Sequence, residues 1–177
     1  MTLALRASCL FLTLSLAVVI PGLAKTPKPM SGREFDGVAR AALAAMKARA
    51  NELHINGVAV VAFAPGERVE SWQSQMSVVG SMTDQKSEKG NNLLGIAYAK
   101  AAEMAETLKD SGTAGRQPMT GEFGWQGGVV ARTGRGILIV AFSGGKSEDD
   151  VQVSRAGLEV MKTRSEKGGY RLSAGNS

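Results

Sequence analysis

Residues 57–64, GVAVVAFA, form an unbroken apolar run rich in valine. Successive side chains of a strand point to opposite faces, so a strand with no polar position has to be covered on both. The chain must therefore supply a layer on each side of the sheet that holds this segment. Pro65-Gly66 reads as a turn. Residues 68–78 then alternate, with Trp72, Ser74, Met76 and Val78 on one face and Ser71, Gln73, Gln75 and Ser77 on the other. Together the two segments predict an antiparallel hairpin.

The covering layers come from apolar residues at helical spacing. Phe35, Ala39, Leu43, Met46, Ala50 and Leu53 recur at three and four residues, which predicts a helix of about five turns ending between Asn51 and Asn56. Leu94, Ala97, Ala101, Met104 and Leu108 mark a second helix, with Lys100, Glu103, Lys109 and Asp110 expected on its outside and Gly112 expected to cap its end. Residues 80–92 between hairpin and helix read as a polar loop. Residues 113–128 are a long glycine-containing connection carrying Phe123 and Trp125. A second strand pair is expected at 129–133 and 137–142 around Gly134-Arg135-Gly136, and a last helix at 147–164. The expected fold is α/β (α+β), in the order α-β-β-α-β-β with room for a third strand, then α, around an antiparallel sheet. The domain is expected over 35–164, after a linker at 25–34 and before a disordered tail at 165–177.

In the segment ILIVAFSGGKSEDD, residues 137–150, an apolar run stops at Ser143, passes through Gly144, and meets Gly145-Lys146-Ser147, the last three letters of a phosphate-binding loop. That loop also needs a glycine five residues before Gly145, so that successive N–H groups converge on the phosphates. Val140 stands there. Glu148, Asp149 and Asp150 then crowd the first helical turn, where the helix dipole would otherwise draw an anion. Ser147 with Asp150 three residues on reads as a capping box. Gly144, Gly145, Ser147 and Asp150 are thus expected to be a structural turn and helix cap.

Residues 1–24 read as a secretory leader: Arg6, an apolar stretch from Cys9 to Ile20, and the small-residue site Gly22-Leu23-Ala24. The stretch is too short to span a bilayer. The expected product is exported, periplasmic or secreted, with no membrane span. Cys9 is the single cysteine, so it leaves with the leader and takes with it any disulfide or thiolate chemistry. Net charge is +5, with basic residues spread among acidic ones and no basic stripe interleaved with aromatics, which argues against a nucleic-acid partner.

FSGGKSEDDVQVSRAGLEVM, residues 142–161, resembles the closing signature of the GlcG/HbpS family, which is related to the C-terminal domain of PduO-type proteins. In that family a strand ends in a Ser-Gly-Gly turn, an acidic pair opens a helix, and Ala-Gly-Leu follows inside it. The preceding GGVVARTGRGILIVAF is similar to the family's glycine-led hairpin. The turn after the first strand departs from it, with Ala64-Pro65-Gly66-Glu67 in place of an aspartate-rich turn. The resemblance spans residues 35–164. It implies a profilin-like sheet flanked by helices, binding of heme or a related tetrapyrrole, weak heme-degrading activity in some members, homo-oligomers, and in some members a membrane-sensor partner.

Heme iron takes an axial donor such as His, Met, Cys or Tyr. With cysteine gone, the candidates are His54, Met76, Tyr98 and Met119, and His54, the one histidine, is the candidate metal ligand. Each also has a plainer role. His54 sits where a helix should end, and Met76 shares a strand face with Trp72. Tyr98 lies at the edge of an apolar stripe, and Met119 precedes Phe123 and Trp125. One histidine excludes a multi-histidine zinc site. The sequence holds no nucleophile-elbow motif, and it assigns no catalytic residue. The leading expectation is an exported heme- or tetrapyrrole-binding protein; the rival is an oligomeric structural or interaction module without a heme.

Overall fold

The computed structural model describes residues 28–173; the expected leader lies outside them. A four-stranded antiparallel sheet in the order β2-β1-β6-β5 forms the middle layer. Its strands are β1 (Gly57–Pro65), β2 (Gln73–Val79), β5 (Gly128–Thr133) and β6 (Gly136–Ser143). The two unbroken apolar segments are the central strands, paired with Val61 opposite Val140. Helices α1 (Gly32–Glu52) and α3 (Ser147–Ser173) cover one face, and α2 (Leu93–Thr107) covers the other.

The period of two sorts the central strands between these layers. Ala59, Val61 and Phe63 join Leu138, Val140 and Phe142 beneath α1 and α3, where Phe35, Met46 and Met161 fill the space. Val58, Val60, Ala62 and Ala64 join Ile137, Ile139 and Ala141 beneath α2, against Ile96, Ala97 and Met104. Every residue of β6 is buried, which is why it carries no polar position before Ser143. The sheet and its flanking helices have the expected architecture.

Helix α1 starts three residues before Phe35, inside the segment read as a linker. Ser31 caps it by accepting from the Glu34 N–H. It ends in a left-handed residue, His54, at φ 55°, with Ile55 N–H bonded to Ala50 O and His54 N–H to Asn51 O. This double bond satisfies carbonyls that the helix end would otherwise orphan.

Four expectations are corrected. The second strand begins at Gln73, because residues 68–72 turn before joining the sheet. The loop at 80–92 contains a small ribbon, β3 (Thr83–Asp84) paired with β4 (Asn91–Asn92). Helix α2 stops at Leu108, in the left-handed conformation at φ 54°, with its N–H on Met104 O; Gly112 turns the chain only afterwards. Helix α3 continues to Ser173, past Arg164 and into the segment expected to be disordered. Ser165 there is buried, and its carbonyl accepts from Arg135 Nη1 at 2.8 Å.

Arg135, in the β5–β6 turn, ties distant parts of the chain together. Its guanidinium meets the Glu34 carboxylate at both ends, at 2.5 and 2.8 Å, and its Nε donates to Lys28 O at 2.8 Å. One side chain thus fastens the start of α1 and the far part of α3 to the sheet.

Candidate functional site

Where β6 ends at Ser143 and α3 begins at Ser147, the sheet opens into a cleft of about 130 Å³. Its walls come from the ribbon (Asp84, Lys86, Asn91), the start of α2 (Leu93, Ile96, Lys100), the loop residues Trp125 and Gln126, and the Gly144-Gly145 turn with Asp150. Crevices beyond the strand ends, beside a helix start, are common ligand sites in mixed α and β proteins.

The floor is an ion pair. Lys100 Nζ donates to Asp150 Oδ2 and to Phe142 O, each at 2.8 Å, and the two side chains are 3% and 5% exposed. Asp150 Oδ1 accepts the Gly145 N–H at 2.8 Å. Burial pulls the Lys100 ammonium below its ordinary range, against the opposing charge and hydrogen bond of Asp150. Burial likewise pushes the Asp150 carboxyl up, against Lys100 and the N–H groups of the turn. Gly127 seals the pair. A Cβ there would come within 2.2 Å of Lys100 Nζ, and its carbonyl takes the Ser154 hydroxyl at 2.6 Å. The expectation that Lys100 and Glu103 lie on the outside of α2 is corrected: both are buried, and Glu103 Oε1 accepts the Gly112 N–H at 2.8 Å.

The ribbon forms the outer wall. Asp84 Oδ1 accepts from Lys86 N–H at 3.0 Å and from Asn91 Nδ2 at 2.7 Å. Burial works to raise its carboxyl, but these donors and the Lys86 ammonium outweigh it and hold it low. Lys86 Nζ reaches across to Gly144 O, a carbonyl of the turn.

The remaining wall is the connection between α2 and β5, which an ion-pair clamp organises. Arg116 grips the Glu122 carboxylate with two nitrogens, at 2.7 and 2.9 Å, and reaches Glu106 at 2.9 Å, while Glu122 also accepts the Met119 N–H. Arg116 first, then the Met119 N–H, draws the Glu122 carboxyl down to about 2. Beyond the clamp, Phe123 and Trp125 pair with ring centroids 4.8 Å apart and planes tilted by 31°. They are 45% and 50% exposed, and Met119 on the same loop is 50% exposed. An apolar group this open, on the rim of a polar cleft, is an unusual use of large side chains.

The residues singled out from sequence fall in several places. Gly144, Gly145, Ser147 and Asp150 line the cleft, whereas His54, Met76, Tyr98 and Met119 do not. Met76 and Tyr98 each pack against the core beneath α2, and the Tyr98 hydroxyl lies 3.3 Å from Ser74 Oγ. His54 is exposed at the end of α1 and Met119 on the rim loop. Among the described residues, no group of three or more His, Cys, Asp or Glu could hold a metal ion. Asp150 reaches back to Gly145 rather than to Ser147, so the helix start is tied to the turn and to α2 at once. The Gly145 N–H of the turn is thereby taken by the chain's own carboxylate. Lys100 was missed, although its position three after Ala97 and four before Met104 put it on the apolar face.

No protein-family model and no curated protein matches the chain. Solved structures do, and four of their chains match it, two of which are informative. One is protein ORFY of Klebsiella pneumoniae, of the DUF336 family, at 16% identity and a TM-score of 0.51, covering 71% of this chain and 88% of that one. The other is PduOC in complex with heme, at 16% identity and a TM-score of 0.50, covering 75% and 94%. The chain has their fold. That fold agrees with the one the GlcG/HbpS resemblance implies, so architecture and closing signature point the same way.

Heme is the group this fold brings into question. The cleft is smaller than the roughly 300–1,000 Å³ of pockets that enclose drug-sized ligands, and none of its lining residues is a His, Met, Cys or Tyr. A macrocycle does not fit inside it. The rim is a different surface: the exposed Trp125 lines the cleft, Phe123 is paired with it, and Lys86 stands in the adjoining wall. An exposed aromatic pair and a lysine in the wall are groups that could meet an apolar ring bearing carboxylates.

Proposed function

We propose that this protein is an exported domain that binds heme or a related tetrapyrrole, seating the ring on the aromatic rim rather than in an enclosed pocket. The observation that carries the reading is the half-exposed Phe123–Trp125 pair at the cleft mouth, on the connection that also carries the Arg116–Glu122 clamp. Such a pair offers a large exposed apolar ring surface to a ligand. Lys86 would be a cation for the ligand's carboxylates, and Met119, on the same loop as the two rings, would offer a thioether to the iron. PduOC, which shares the fold, is described in complex with heme, and this supports the choice of ligand. Bound heme would supply an iron centre; the chain's residues bind and orient it.

A hemin titration followed by absorbance tests this reading. Wild type should give a saturable, one-to-one shift of the Soret band that survives competition with albumin. Met119→Ala should change the spectrum of the bound form, and His54→Ala should leave it unaltered. A weak, non-saturable change would overturn the reading in favour of an interaction module without a heme.

A further inference from the structure

The Lys100–Asp150 pair is not needed for binding on the rim, and its cost asks for an explanation. Taking two charges out of water is expensive, and apolar replacements of similar volume are often as stable or more so. Yet the pair lies at the floor of an open cleft, with a glycine at 127 whose absent Cβ makes room for the ammonium. Lys100 Nζ has two acceptors, Asp150 Oδ2 and Phe142 O, which leaves a third N–H position.

We propose that Lys100 is a nucleophilic amine that condenses with a small carbonyl compound, an aldehyde or 2-oxo acid, held in this cleft. A volume of about 130 Å³ holds a molecule the size of about four waters, each with a share of about 30 Å³. Asn91 and Ser147 offer polar groups to such a molecule, and the Lys86 ammonium offers a partner for a carboxylate. Burial also favours the neutral amine over the ammonium, as in other buried reactive lysines.

The step balances without a co-reactant. The ammonium passes a proton to Asp150, 2.8 Å away, and the Nζ lone pair attacks the carbonyl carbon. A C–N bond forms, the C=O π pair moves to oxygen, and one N–H proton follows it, giving a carbinolamine. Asp150 returns its proton to the hydroxyl, the C–O bond breaks, and water leaves. The nitrogen lone pair closes a protonated imine that faces the Asp150 carboxylate. The reactants are the lysine ammonium and the carbonyl compound, the products the iminium and water.

The test uses the full chain without hemin, so its outcome is separate from the heme reading. Propionaldehyde, and in a parallel sample pyruvate, is added at neutral pH with sodium cyanoborohydride to trap the imine, and peptides are mapped by mass spectrometry. Lys100 should be alkylated about tenfold or more faster than the exposed Lys47, Lys89 and Lys109, because Asp150 beside it takes and returns the proton. The preference should vanish in concentrated urea. Asp150→Asn should slow labelling at Lys100 about tenfold, to the level of the exposed lysines; should this variant unfold, it gives the urea pattern and the wild-type map alone decides. Labelling of Lys100 at or below that of the exposed lysines, or a preference that survives in urea, overturns the proposal.

Discussion

The buried charges hold the most information at the scale of single residues. Asp150 has its carboxyl raised in the folded state, so its favourable contribution is present below the ordinary value of 3.8 and is lost as pH rises through the raised one. Lys100 is lowered, so its contribution is present above 10.5 and is lost as pH falls through the lowered value. Between those limits the folded protein bears the cost of two buried charges, offset by their contact. Removing one partner should therefore be worse than removing both. Lys100→Met is expected to cost about 3–5 kcal/mol in urea unfolding, and Lys100→Met with Asp150→Leu should regain most of it. Equal losses in the single and double variants would contradict this. Lys100 also shows where sequence reasoning went astray. Its charge led to an outside placement, while its spacing put it among alanines and Met104; spacing decided, because Asp150 waits fifty residues further on and nothing local reveals that.

At the scale of elements, the central strands were the most legible part, because burial on both faces leaves a continuous apolar run. The ends of elements were less so. Helix α3 was cut short at Arg164 because its remaining residues are polar, yet Arg135 reaches Ser165 O from a turn thirty residues earlier. Such anchors leave no local pattern. Arg135→Met should cost about 1–3 kcal/mol, because Glu34 and two carbonyls lose their donor; a change within 0.5 kcal/mol, the range about a neutral surface site shows, would contradict it. Gly144, at φ 156°, is another such point. A Cβ would lie 1.9 Å from Asn56 O, so Gly144→Ala should lower thermal stability and distort the cleft wall. The rim loop depends on its clamp. Glu122 is depressed from 4.5 to about 2, so the clamp is fully present above about pH 4.5 and is lost as pH falls through about 2. The difference in melting temperature between wild type and Glu122→Gln should be constant above about pH 4.5 and shrink below it. A difference that already shrinks near neutral pH would contradict the assignment.

For the whole molecule, the three-layer arrangement follows from the demand that β1 and β6 be covered on both faces, and the sequence carried that demand openly. The functional cleft was legible only in part. The Gly144-Gly145 turn and Asp150 stood out, but Lys86, Asn91 and Trp125 converge on them from segments that sequence assigned to loops, and only the folded sheet brings these together. Export belongs to the proposed role and is checked by mass spectrometry of the secreted chain, which should begin at Lys25; a retained Met1 would contradict it. The homo-oligomer that the family resemblance implies should show in light scattering as more than one chain's mass. The rim itself is the central claim, and Trp125 reports on it directly, since Trp72 is the only other tryptophan. In a Trp72→Phe background, hemin should quench the Trp125 emission saturably at one equivalent, and Phe123→Ala should weaken binding about tenfold, the loss of one aromatic contact of about 1.4 kcal/mol. Saturable binding seen in the Soret band with Trp125 emission unchanged would place the heme elsewhere and contradict the claim.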